Sequence, residues 1–150
     1  MKTIRIDKPT LVKYMYLTLN RVKYKYGAKA VLGTKPENID YIDCSGYVRW
    51  LLYMCSGQRI PDGSWNQRVW FQKEGYKTNP YRTVAGCKDN RLRIAFIDPK
   101  GNKPGHVWFV INGLTIESYG GHGVGRRKWY SPGLLLRAKY CFTLTDILDN

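Results

Sequence analysis

Leu11, Met15, Leu19 and Val22 recur at intervals of three and four residues, with Val12 and Tyr16 beside them. That spacing, following Asp7 and Pro9, predicts an amphipathic helix over residues 9–22. Tyr24-Lys25-Tyr26-Gly27 breaks the pattern, and a loop carrying Gly33, Pro36 and Asn38 runs on to Asp43. From there Cys44, Tyr47, Val48, Leu51, Leu52 and Cys55 share one helical face, and Gly57 stands where such a helix would stop. Cys44 and Cys55 are then about three turns apart, too far for a disulfide. After a turn at Pro61, Gly63 and Ser64, Trp65, Val69 and Trp70 predict a third, short helix. Residues 75–90 read as polar and irregular.

The period then changes. Leu92-Arg93-Ile94-Ala95-Phe96-Ile97 predicts a strand, and residues 98–105, with Pro99, Gly101, Pro104 and Gly105, a turn-rich connector. His106 to Ile111 and Leu114 to Tyr119 predict two strands joined by Asn112-Gly113, a strong hairpin signal. Gly120-Gly121-His122-Gly123 reads as a flexible loop, and residues 134–144 as a final strand. Helices come first and an antiparallel sheet follows, so the class is α+β. The 150 residues suit one domain, residues 1–150.

Charge narrows the class of partner. Lys and Arg number 25 against 11 Asp and Glu, a net charge of +14. So basic a chain is suited to a polyanion: nucleic acid, an anionic membrane or an anionic cell envelope. With 43% hydrophobic residues a true core is available and wholesale disorder is excluded. No segment reads as a transmembrane span. The opening Met1-Lys2-Thr3-Ile4-Arg5-Ile6-Asp7 does not read as a signal peptide, so the expectation is synthesis in the cytoplasm with delivery by another route. Cys44, Cys55, Cys87 and Cys141 show no CxxC spacing and there are two histidines, so neither a metal site nor a cofactor is expected.

Three residues suggest chemistry. Cys44 stands in Asp43-Cys44-Ser45-Gly46 at the predicted start of a helix, where unpaired amides and the helix dipole favour the thiolate. His106 begins a strand, with Trp108 and Val110 on its face. If Asn112-Gly113 is a two-residue turn, Ile111 pairs with Leu114, Trp108 opposes Glu117 and His106 opposes Tyr119. Glu117 is then diagonal to His106 on the same face, within side-chain reach. A carboxylate there would accept an imidazole N–H, fix the tautomer and stabilise the imidazolium. His122 is the competing third member. Thiol, imidazole and carboxylate form the general set of a cysteine hydrolase.

These motifs resemble the NlpC-type cell-wall cysteine peptidases, from about Val22 to Val124. Val22-Lys23-Tyr24-Lys25-Tyr26-Gly27 resembles the family's segment ahead of the nucleophile. Ile42-Asp43-Cys44-Ser45-Gly46-Tyr47-Val48 is very close to its nucleophile motif. Ile60-Pro61 with Ser64 and Gln67, then Gly105-His106-Val107, then Ile116-Glu117-Ser118 with Gly123-Val124, follow the family's order. Its usual Gly-Asp pair before the histidine strand is replaced by Arg91-Leu92-Arg93-Ile94-Ala95-Phe96. The resemblance implies a papain-like fold, N-terminal helices packed on an antiparallel sheet. It implies Cys44 as nucleophile, His106 as general base, Glu117 as the third polar residue and Tyr24 as a hydroxyl donor to the oxyanion.

The implied activity is cleavage of a peptidoglycan stem-peptide amide. The expected partners are peptidoglycan and anionic envelope polymers, met by Arg126, Arg127 and Lys128 just past the site. The place of action is the wall or periplasm, reached as a phage lysin, a virion-associated enzyme or a secreted antibacterial effector. Two other readings stay open. Tyr14, Tyr16, Tyr24 and Tyr26 interleaved with Lys13, Lys23 and Lys25 would suit single-stranded nucleic acid, although the basic residues form no recognisable module. The same fold also serves deamidases, acyltransferases and thioesterases.

Overall fold

The structure, a computed structural model, describes residues 2–79, 88–128 and 138–148. The helices come first: α1 (Lys8–Thr18), α2 (Cys44–Ser56) and α3 (Ser64–Glu74). The strands follow: β1 (Lys77–Thr78), β2 (Arg93–Ile97), β3 (His106–Ile111), β4 (Leu114–Tyr119), β5 (Gly123–Gly125) and β6 (Tyr140–Thr143). They form one antiparallel sheet in the order β1-β6-β2-β3-β4-β5. The α+β organisation expected from the residue pattern is present.

The central helix is α2. The Asp43 carboxylate accepts the Gly46 backbone N–H at 2.7 Å, capping donors that the first turn leaves unpaired. The helix stops at Gly57, in the left-handed region at φ 76°. Tyr47, Val48, Leu51 and Leu52 are fully buried. They share one core with Ile94, Phe96, Val107, Phe109, Ile116 and Phe142 of the sheet. Each such aliphatic or aromatic side chain removed from water contributes about 1.5–3 kcal/mol, which fixes α2 against β3 and β4.

Helix α1 ends at Thr18, four residues short of the expected Val22. Leu19 leaves the helical region with ψ 129°, and Asn20 turns left-handed at φ 58°. Thr18 Oγ1 bonds back to the Tyr14 carbonyl at 2.8 Å and meets the Tyr47 hydroxyl at 2.8 Å. Val22 is buried from the turn beyond the helix, its N–H on the Thr18 carbonyl. Its spacing signals the core rather than a further helical turn.

The hairpin forms with the expected register: Ile111 pairs with Leu114, Val110 with Thr115 and Phe109 with Ile116. Asn112 and Gly113 both have positive φ, 52° and 81°, as a type I′ turn requires. Two other expectations are corrected. Residues 75–90 are not irregular throughout, because Lys77 and Thr78 form β1 against Thr143 and Phe142; residues 80–87 lie outside the described ones. The glycine-rich stretch after Tyr119 is a tight turn, and Gly123–Gly125 pair with Tyr119, Ser118 and Glu117 as β5. The sheet edge captures these small residues despite their weak strand propensity. The expected final strand is β6, with residues 134–137 outside the described ones. No helix among the described residues is long and apolar enough to cross a membrane.

Candidate active site

Cys44 is the first residue of α2, so its sulfur sits at the positive end of the most deeply packed helix. It is 8% exposed, yet it lines an open cleft of about 730 Å³. Across that cleft stand Ser64, Trp65 and the connector from Pro99 to Gly105 that leads into β3. The sulfur lies within hydrogen-bonding reach of the His106 ring. The Nε2 atom of that ring is 2.7 Å from Oε1 of Glu117. Trp108 stacks on the imidazole, 5.2 Å between centroids at 23°, which limits how the ring can swing.

Glu117 is completely buried on β4, and its contact to His106 is the diagonal one that the hairpin register predicts. A buried carboxylate needs partners on both oxygens. Arg127 supplies them: Nε donates to Oε2 at 3.0 Å and Nη2 to Oε1 at 2.6 Å. Burial favours the neutral acid, but the hydrogen bonds from His106 and Arg127 outweigh it and hold the carboxyl down at about 2. Burial likewise disfavours the imidazolium of His106. Hydrogen bonds to Cys44 and Glu117, together with their negative charges, prevail and push the ring up to about 9. Near neutral pH the imidazole is therefore held protonated between sulfur and carboxylate.

Tyr24 faces the same cleft, half-buried. Its hydroxyl is pushed up by burial and by the nearby charges of Cys44 and Asp43, so it stays a protonated donor. The segment that carries it is pinned from both sides. Lys23 bonds through its backbone to Asp40 and Ile42 just ahead of Cys44, and Val22 bonds to Val124 of β5. That approach demands Gly123: a Cβ at that position would lie 2.2 Å from the Val22 carbonyl oxygen, and its φ is 95°.

His122 is not part of this site. Its Nε2 is 3.0 Å from Asn20 Oδ1, and its ring stacks on Tyr119 at 4.9 Å. Two residues of the Arg126–Lys128 run bond within the chain. Arg126 Nε donates to the Thr115 carbonyl at 2.9 Å and Arg127 binds Glu117, so both guanidinium groups turn onto their own chain. Lys29 carried no sequence signal. Its ammonium bonds both Asp43 oxygens, at 2.6 and 2.9 Å, and Ser45 Oγ at 2.8 Å, beside the nucleophile candidate. No cluster of potential metal ligands occurs among the described residues.

No family model matches the sequence, and no curated protein matches it. Solved structures do match. The chain is similar to a lipoprotein-like NLP/P60 family protein of Staphylococcus aureus at 14% identity and a TM-score of 0.65, covering 99% of this chain and 44% of that one. It is similar to the P60 domain of a Mycobacterium avium subspecies paratuberculosis antigen at 23% identity and a TM-score of 0.58, covering 95% of each chain. It is similar to the peptidoglycan hydrolase RipB of Mycobacterium tuberculosis at 21% identity and a TM-score of 0.58, covering 95% of this chain and 65% of that one. The chain thus spans less than half of the staphylococcal protein and nearly all of the P60 domain. At these identities the likeness is one of fold: the chain has the papain-like α+β fold of the NlpC/P60 proteins.

Proposed function

With that fold as premise, we propose that the chain is a peptidoglycan hydrolase, a cysteine peptidase or amidase that cleaves an amide in the stem peptide. The observation that carries the proposal is the His106 ring held between Cys44 and Glu117 on the wall of an open cleft. The fold it shares with RipB, a peptidoglycan hydrolase, supports the choice of substrate.

The chemistry follows from the charges. His106 takes the proton of the Cys44 thiol as the sulfur attacks the amide carbonyl carbon. The carbonyl oxygen becomes an oxyanion, held by the Cys44 backbone N–H and the Tyr24 hydroxyl. The imidazolium gives its proton to the leaving nitrogen, the C–N bond breaks and an amine departs, leaving a thioester. His106 then takes a proton from water, hydroxide attacks the thioester carbon and the C–S bond breaks. Glu117 fixes the ring and balances its charge throughout.

The place of action follows from the substrate: the wall or the periplasm, reached by phage lysis, with a virion or by secretion. The net charge of +14 suits teichoic acid or lipopolysaccharide around the substrate. Incubation of the reduced chain with purified muropeptides tests the function. A new free amine is expected, and mass spectrometry of the products names the bond. Release of ammonia instead of a peptide amine would make the chain a deamidase. Intact muropeptides with folded, reduced chain would overturn the reading.

A further inference from the structure

Arg127 lies between β5 and the residues beyond Lys128, in a run of three basic residues that would ordinarily face solvent. Here it is built into the sheet. Its backbone N–H donates to Thr115 Oγ1 at 2.7 Å, and its carbonyl accepts the Thr115 N–H at 2.8 Å. Its guanidinium lies 4.1 Å from the centroid of the Tyr119 ring, a cation–π contact that fixes the plane of the fork. Held in that plane, the fork meets Glu117 with two parallel bonds, Nε to Oε2 and Nη2 to Oε1. Oε1 is the atom that also meets His106 Nε2.

We propose that Arg127 is a positioning residue of the Cys44–His106–Glu117 unit, a bidentate clamp that keeps Oε1 of Glu117 aimed at the imidazole. The inference deepens the hydrolase reading and rests on it. A carboxylate alone on a strand can rotate about its last torsion, which is broad. Two parallel bonds from a fixed plane stop that rotation. The clamp also supplies the positive charge that a buried carboxylate needs at times when the ring beside it is neutral. The ring alternates between charged and neutral during the reaction, so a carboxylate partnered only by the ring would lose its counter-charge once per cycle. Arg127 removes that dependence. The groups facing the carboxylate are His106 from β3, Arg127 beyond β5 and Thr115 on its own strand. Cys44 from α2 also meets the ring, and Tyr24 lies close enough to Cys44 to interact with its charge.

The test is the pH profile of Cys44 alkylation by iodoacetamide, read by mass spectrometry of the Cys44 peptide. It needs no peptidoglycan. Wild type, Arg127→Met, Arg127→Lys and His106→Ala are compared over the pH range in which circular dichroism shows each folded. In Arg127→Met the acidic fall-off in reactivity is expected to move upward by about one pH unit, because the unclamped carboxylate protonates sooner. Arg127→Lys, with charge but no fork, is expected in between. An Arg127→Met profile that overlays wild type, with only a lower melting temperature, would overturn the clamp and leave the hydrolase reading standing. A His106→Ala profile that overlays wild type would instead remove the Cys44–His106 pairing on which both rest.

Discussion

The Nε2 atom of His106 stands 2.7 Å from Oε1 of Glu117, eleven residues away across a two-residue turn. Glu117 is fully buried and Arg127 bonds both of its oxygens, so the contact is shielded from water. Glu117→Gln keeps the shape but removes the charge that stabilises the imidazolium, and its amide NH₂ would face either the guanidinium or the ring. Turnover of muropeptides is expected to fall by about a hundredfold or more, by analogy with the carboxylate of other nucleophile–histidine units. His122→Ala, remote from the site, is expected to retain most of its rate. The reverse order in a steady-state assay would transfer the third role to His122.

The same pair predicts how stability varies with pH. Glu117 is held at about 2, below its ordinary 4.5, so its contribution is present above about 4.5 and is lost as pH falls through about 2. His106 is raised to about 9 from 6.5, so its contribution is complete below about 6.5 and is lost as pH rises through about 9. Urea denaturation of wild type and His106→Ala from pH 5 to 10 isolates the second effect. Wild type is expected to lose stability more steeply than the variant between pH 6.5 and 9; parallel curves would contradict the ion pair.

Gly123 holds the Tyr24 segment against β5. In Gly123→Ala the new methyl meets the Val22 carbonyl oxygen, and an L side chain is forced to φ 95°. A loss of about 1–3 kcal/mol is expected in thermal or chemical denaturation. Turnover should fall in the same direction as in Tyr24→Phe, which removes one oxyanion donor and is expected to cost about 3 kcal/mol of transition-state stabilisation. A Gly123→Ala variant as stable as wild type would show that the strand does not depend on the close approach.

Asp43 joins the cap of α2 to Lys29. Asp43→Ala removes the acceptor for the Gly46 N–H and the partner of the Lys29 ammonium. About 1–2 kcal/mol of stability should be lost from the cap. Lys29 is partly exposed and can turn to water, so Lys29→Met is expected to change stability much less. Denaturant midpoints of the two variants check the order.

Much of this was legible in the residues because it is local. Asp43 and Gly57 mark both ends of α2, and Asn112-Gly113 fixes the turn type and hence the register. That register places Glu117 on the face of His106. What could not be read depends on tertiary contacts. Val22 fits a helical period but is buried from a turn, so periodicity reported its burial and not its conformation. Gly123–Gly125 have little strand propensity and pair because β4 offers an open edge. Arg127 reads as part of a solvated charge run until the fold sets a buried carboxylate before it, and the Lys29–Asp43 ion pair likewise forms only through the fold. The approach of Cys44 to His106 has no local signal at all; it follows from the packing of α2 on β3 and β4.

The central claim is that the Cys44 sulfur carries the acyl group between amide and water. Partitioning by hydroxylamine measures this directly: wild type and Cys44→Ala are incubated with muropeptides in its presence, and amine, acid and hydroxamate are quantified by mass spectrometry. Wild type is expected to release the amine and to divide the acyl fragment between acid and hydroxamate, while Cys44→Ala releases neither. Amine release that persists in Cys44→Ala, or acid formed with no hydroxamate at any hydroxylamine concentration, would contradict the thioester.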